Sequence, residues 1–191
     1  RAASISKQAS LYMKAGDFVQ AEKEIRSSIK LLDPIKQDVK SQYVNDLTIL
    51  AEILTKTNRV GEGIKELENI EYLVIESKDD NIIASYYDML TSLYGDIGNY
   101  DKLLEYSLLN RDIKLRNIGE NSYPYAVSLI NLSEAYAVSQ QKEKGKECLD
   151  QASQIIIRLY GENSKEYYDV LHKQSSYIQS NEDGKKHFEK R

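Results

Sequence analysis

In 191 residues the sequence has no tryptophan, one cysteine, two histidines and two prolines, and each shortage closes off a class of chemistry. Cys148 stands alone, so it has no intrachain disulfide partner, and no four ligands sit at zinc spacing. No metal or cofactor is therefore expected. No apolar run exceeds four residues, Tyr72 to Ile75 being one, where a membrane-spanning helix needs about twenty. Acidic residues outnumber basic ones by 30 to 26, for a formal net charge of −4 and a pI near 5.4. A phosphate backbone is held by net-basic surfaces with clustered Lys and Arg, so nucleic acid is not an expected partner. The length fits one domain. A lone thiol favours a reducing cytoplasm and is compatible with a periplasm. The chain begins at Arg1 without a charged, apolar and small-residue leader, so any targeting signal is expected to lie outside it and the compartment stays open.

What remains is dense in Leu, Ile, Lys, Glu, Ala and Tyr at helical spacing, which predicts an all-α chain. It also repeats. Gly119-Glu120-Asn121-Ser122 returns 42 residues later as Gly161-Glu162-Asn163-Ser164. One helix face, spaced i, i+3, i+4, i+7, occurs five times: Ile5-Gln8-Ala9-Tyr12, Leu47-Leu50-Ala51-Leu54, Tyr87-Leu90-Thr91-Tyr94, Leu129-Leu132-Ser133-Tyr136 and Leu171-Gln174-Ser175-Ile178. The third member is always Ala, Thr or Ser, small enough for a second helix to approach. Turns follow at Gly16-Asp17, Asn58-Arg59, Gly98-Asn99, Gln140-Gln141 and Asp183-Gly184, where Gly or Asn readily ends a helix in the left-handed conformation. Small residues then recur at Ala21, Gly63 and Gly145, each with an apolar residue four later (Ile25, Leu67, Leu149), which predicts tight antiparallel pairs. The third unit has Leu103 and Ser107 at these places, so its second helix is expected to pack differently.

The unit Ala9-x-x-Tyr12-x-x-x-Gly16-Asp17-Phe18-x-x-Ala21 resembles a tetratricopeptide repeat. The longer period, with Ser128-Leu129-Ile130-Asn131-Leu132-Ser133 and Leu159-Tyr160-Gly161-Glu162, is similar to the 42-residue variety of kinesin light chains and many bacterial relatives. The resemblance implies a right-handed superhelical solenoid of antiparallel helix pairs, with about four full repeats and a partial fifth. Their bounds are residues 2–36, 37–78, 80–119, 122–161 and 164–191, forming a single domain over 1–191. It further implies a non-enzymatic scaffold that binds a protein or peptide segment in a concave groove lined by the first helices. The alternative is a sensor or regulatory segment of a larger bacterial signalling protein. Neither end carries a polar capping unit, so the chain is expected to be excised from, or to dimerise within, something longer. A homodimer would form through the open last unit, which exposes Leu171 and Ile178.

Applied residue by residue, the groove positions are those just after the first and third quartet members: Ser6 and Ser10, Thr48 and Glu52, Asp88 and Ser92, Ile130 and Glu134, His172 and Ser176. Asn45 and Asp169 lie beside them. Three acids and no Lys or Arg predict a polar, negatively biased surface. The candidate peptide-binding residues are Asn45, Thr48, Glu52, Asp88, Ser92, Ile130, Glu134 and His172. Chaperone-binding members of the family grip a C-terminal carboxylate with Lys and Asn, where this chain has Ser6 and Ser10; a basic or neutral extended segment fits better. Nothing in the sequence assembles a catalytic constellation. His172 and His187 lack a neighbouring nucleophile, and Cys148, flanked by Glu147 and Asp150, reads as a packing residue. Tyr12, Tyr87, Tyr94 and Tyr136 are core by position, whereas Tyr43, Tyr86, Tyr123, Tyr125 and Tyr167 are candidate exposed aromatic contacts.

Overall fold

A helix leaves its last carbonyls without partners unless the chain turns back on them, and here that turn recurs in one form. The computed structural model describes residues 1–175. Along the chain come α1 (Ala2–Lys14), α2 (Phe18–Leu32), a 3-10 turn (Asp33–Ile35), α3 (Lys40–Lys56), α4 (Val60–Glu68), α5 (Glu71–Ser77) and α6 (Asp80–Asp96). Then follow α7 (Tyr100–Ile118), α8 (Tyr123–Val138), α9 (Lys142–Tyr160) and helical residues 165–175. Among the described residues none is in a strand. The turn at Asp183-Gly184, Ser176, Ile178 and His187 lie outside the described residues.

Gly16, Asn58, Gly98 and Gln140 take left-handed φ values of 77, 61, 69 and 61°. The N–H after each donates back to the helix: Asp17 to Tyr12, Arg59 to Leu54, Asn99 to Tyr94 and Gln141 to Tyr136, at 2.7–3.0 Å. Their own N–H groups donate to Met13, Thr55, Gly95 and Ala137. This is the Schellman stop, made four times. Its accepting residues Tyr12, Leu54, Tyr94 and Tyr136 are the last members of the first four quartets, so helix end and packing face share one register. Starts are equally local. Asp17, Asp79, Ser122 and Ser164 side chains accept backbone N–H bonds from the first turn they precede, and Pro124 sits where no helical donor is needed.

The chain forms two compact units, residues 1–106 and residues from 107 on. In the first, α1 packs on α2 and α3 on α4. Ala9 and Ala21 are fully buried, as are Ile25, Ala51, Ile53, Leu54, Leu67, Leu73, Val74 and Leu90. Full burial of each larger aliphatic side chain contributes roughly 1.5–3 kcal/mol. In the second unit α8 packs on α9, bringing Ala126, Leu129, Leu132 and Ser133 together with Gly145, Leu149, Ala152 and Ile156, all buried.

Two departures from the repeat stand out. The helix after Asn58 breaks at Asn69–Ile70 into α4 and α5, and α5 ends at Lys78 with φ 53°. After α6, large rings take the place of a small-residue contact. Tyr106 stacks on Tyr94 (centroids 5.5 Å, planes 7° apart) and meets Tyr87 at 5.8 Å, while Leu103 is half-buried near Gly95. The expected difference at Leu103 therefore takes the form of a tyrosine cluster.

Candidate functional site

A residue one step past a core position on a helix is turned about 100° from it, so the side chains following the quartets of α3 and α6 leave the core toward solvent. Between these helices opens a cleft of about 600 Å³. Glu52, Asp88, Ser92 and Asp96 line it, with Lys56 and the half-buried Met89. Three carboxylates and one ammonium are thus among its lining groups. Of the candidate residues, the cleft brings together Glu52, Asp88 and Ser92, all exposed. Asn45 and Thr48 share α3 without lining it; the Thr48 hydroxyl donates back to the Val44 carbonyl at 2.9 Å. Asp96 and Lys56 belong to the cleft although the spacing rule omits them, because their helical rows continue one turn beyond the last position counted.

Ile130, Glu134 and His172 belong to the second unit. Ile130 is half-buried, Glu134 is exposed and His172 is exposed on helical residues 165–175. The Glu134 carboxylate is paired with Lys173, so its charge is locally compensated. Asp169 is exposed nearby in sequence, and Leu171 is half-buried.

Ser6 is not a groove residue. It is 4% exposed and belongs to a buried polar knot around Asp46, which is fully buried. Asp46 accepts from Ser6 Oγ at 2.9 Å, Ser28 Oγ at 2.5 Å and Gln42 Nε2 at 2.7 Å, tying α1, α2 and α3 together. A buried carboxylate demands such donors. An acid three residues after the apolar Tyr43 and beside Leu47 was the available signal, since it interrupts an otherwise buried face. Three of the tyrosines that were candidates for exposed contacts are likewise interior. Tyr86 is fully buried and donates to the Leu67 carbonyl at 3.2 Å; Tyr43 is buried and donates to Asp33 at 2.9 Å; Tyr125 is buried. Tyr123 is exposed and meets Tyr160 edge to face at 5.7 Å, and Tyr167 is half-buried.

Away from the cleft, α2 and α4 are joined by an ion network. Arg59 pairs with Glu22 at 2.8 Å and Glu62 at 2.7 Å, and Arg26 pairs with Glu22 at 2.8 Å. Burial pushes the Glu22 carboxyl up, but the two guanidinium hydrogen bonds outweigh it and hold the group below its usual range. The Arg59 hydrogen bond does the same for Glu62. Burial raises the Cys148 thiol, with Arg111 opposing and Glu147 adding to the shift, and the sulfur is buried. Among the described residues no three His, Cys, Asp or Glu side chains are placed to hold a metal ion, and no helix is long and apolar enough to cross a membrane.

No protein-family model matches the chain. It is 24% identical over 162 residues to a secreted RxLR effector protein of Plasmopara halstedii, a match covering 78% of this chain and 49% of that protein. The chain thus spans about half the length of that relative. Among solved structures it is similar to kinesin light chain-like, nearly identical TPR-like repeats of Podosopora anserina, with a TM-score of 0.82 at 16% identity over 97% of this chain and 89% of that one. It is also similar to a signal transduction ATPase with a tetratricopeptide repeat sensor from Pyrococcus horikoshii, with a TM-score of 0.78 at 17% identity over 92% of this chain and 26% of that one. At such identities the likeness speaks to the backbone alone, and with the recurring helix pairs and stops it leads to one conclusion: this chain has the all-α, tetratricopeptide-like solenoid fold.

Proposed function

We propose that this chain is a non-enzymatic protein-interaction module whose α3–α6 cleft takes an extended peptide segment of basic character. The observation that carries the reading is the convergence of Glu52, Asp88 and Asp96 on one open cleft with Lys56 as its cation. Carboxylates in such a setting accept charge-assisted hydrogen bonds from Lys or Arg, and their sign steers a cationic segment toward the cleft. The fold supports this, because tetratricopeptide-like repeats generally serve as protein-interaction or regulatory domains rather than catalysts.

The test is fluorescence anisotropy with two labelled ten-residue peptides, one alternating Lys and Ser, the other Glu and Ser. The Lys peptide is expected to bind, more weakly as salt is raised, and to lose affinity when Glu52→Lys is combined with Asp88→Lys. Equal binding of both peptides, or an unchanged affinity in the double variant, overturns the reading.

A second reading is a sensor or regulatory segment of a longer protein. What favours it is the likeness over 92% of this chain to a structure with a tetratricopeptide repeat sensor, of which it covers 26%.

A further inference from the structure

The stretch from Val60 to Ser77 contains nothing that ends a helix at Asn69. It has no Pro, and its glycines, Gly61 and Gly63, lie at the start. Gly63, Leu67, Ile70 and Val74 recur at intervals of four, three and four, the period of one uninterrupted helix face, and all four are buried. Yet the helix divides into α4 and α5. Sharp bends arise at Pro, at Gly/Ser pairs, at π-bulges or where a side chain or water enters the hydrogen-bond ladder. Tyr86 on α6 is such a side chain. In a straight helix the Leu67 carbonyl would accept from the N–H of Glu71, four residues on. Here it accepts from the Ile70 N–H, three residues on, at 3.0 Å and from the hydroxyl of the fully buried Tyr86 at 3.2 Å. Beside it the Glu68 carboxylate accepts from the Tyr94 hydroxyl, also on α6.

The other repeats serve as internal controls. α9 runs 19 residues without a break, and 84 residues beyond Tyr86, at the equivalent place in the helix that follows, stands Val170, which has no hydroxyl. α7 also runs 19 residues, and 42 residues beyond Tyr86 stands Ser128, whose hydroxyl donates to Tyr125 on its own helix at 2.7 Å. α2 stops at Leu32, where Pro34 accounts for the end. We propose that the Tyr86 hydroxyl is the wedge of a two-state joint between α4 and α5, bent while the phenol holds the Leu67 carbonyl and straight when it lets go. α5 presents Tyr72 and Ile75, each about half exposed, and the joint decides where these side chains point.

NMR on the full chain reads the joint through backbone Cα shifts and amide exchange. Tyr86→Phe keeps the ring and removes the hydroxyl, leaving the Leu67 carbonyl to Glu71. Residues 69–72 are expected to take helical shifts, and the Glu71 amide to exchange about fivefold more slowly, the worth of one backbone hydrogen bond. Tyr94→Phe removes a hydroxyl outside the ladder and is expected to leave the bend in place. The rival cause is the short connection from α5 to α6, two residues where α7 and α8 are joined by four, and inserting Gly-Ser after Lys78 isolates it. A bend that survives the insertion supports the wedge. A bend that survives Tyr86→Phe, or one that straightens on insertion with Tyr86 in place, overturns it.

Discussion

Gly63 on α4 has no room for a side chain against Ala51 on α3: a Cβ there would lie 3.3 Å from the Ala51 Cα and 3.4 Å from its Cβ. The contact joins two positions with the same small-residue character, one from the quartet and one from the helix that returns over it. Gly63→Val would force the pair apart and is expected to destabilise the protein by about 1–3 kcal/mol, the usual range for overpacking a close contact. Gly61, two residues earlier on the same helix, would set its Cβ in open space. Gly61→Ala is expected to stabilise by about 0.5–1 kcal/mol, since alanine restricts the unfolded chain and favours helix. Urea unfolding followed by circular dichroism measures both, and equal effects of the two substitutions would refute the close-packing account.

The four helix stops differ in cost because two of them use residues with a Cβ. Gln140 holds φ 61° and Gly16 holds φ 77°. A left-handed conformation costs a non-glycine residue roughly 1–2 kcal/mol. Gln140→Gly is therefore expected to raise stability by about 1 kcal/mol, and Gly16→Ala to lower it by about the same, both read as shifts of the thermal midpoint. A fall in stability for Gln140→Gly would contradict the assignment of the stop.

The Asp46 knot joins three helices through one carboxylate. Asp46→Ala would leave Ser6, Ser28 and Gln42 without their shared acceptor in a buried place, a loss of about 2–4 kcal/mol. The effect should appear first as faster amide hydrogen exchange in α1 and α2, the helices that Asp46 ties to α3. Exchange that rises evenly throughout α1 to α6 would argue against a local clasp.

Alkaline pH should unfold the protein through its tyrosines. Burial first, then nearby carboxylates, hold Tyr43, Tyr86 and Tyr94 well above the ordinary phenol value of 10.0, with Asp33 beside Tyr43, Glu71 and Glu68 near Tyr86, and Glu68 accepting from the Tyr94 hydroxyl. A phenol kept neutral in the folded state contributes stability that is complete below about pH 10 and is lost as pH rises, because the unfolded chain releases its proton first. Each such group lowers stability by up to about 1.4 kcal/mol per pH unit above that point. Near-ultraviolet absorbance is expected to show the exposed tyrosines ionising first and the buried ones only with loss of helicity. A single early titration of all fifteen would refute it.

Periodicity made the helix class, the stops and the small-residue contacts legible, because each depends on local chemistry: a left-handed residue at Gly16, a missing Cβ at Gly63. It was less informative where a side chain's partner comes from another helix. Ser6 occupies a groove position by spacing and Tyr86 lies off the core quartet, yet Ser6 turns inward because Asp46, 40 residues away, needs a donor. Tyr86 is buried because the Leu67 carbonyl is there to accept its hydroxyl. The break at Asn69–Ile70 also escaped the pattern, since Leu67, Ile70, Leu73 and Val74 keep a buried face through it.

From the small residue of each of the first four quartets to its left-handed stop the count is constant: Ala9 to Gly16, Ala51 to Asn58, Thr91 to Gly98 and Ser133 to Gln140 are all seven residues. The shortfall of the 40-residue period lies entirely beyond Asn58, in the stretch that divides into α4 and α5. Insertions and deletions are thus tolerated in the returning half of a hairpin and forbidden in the leading half, where one added residue would rotate Glu52 or Asp88 away from the cleft. A designer wishing to lengthen this scaffold, or to graft a tag within it, has the linker after α5, at the exposed Lys78, as the permissive site.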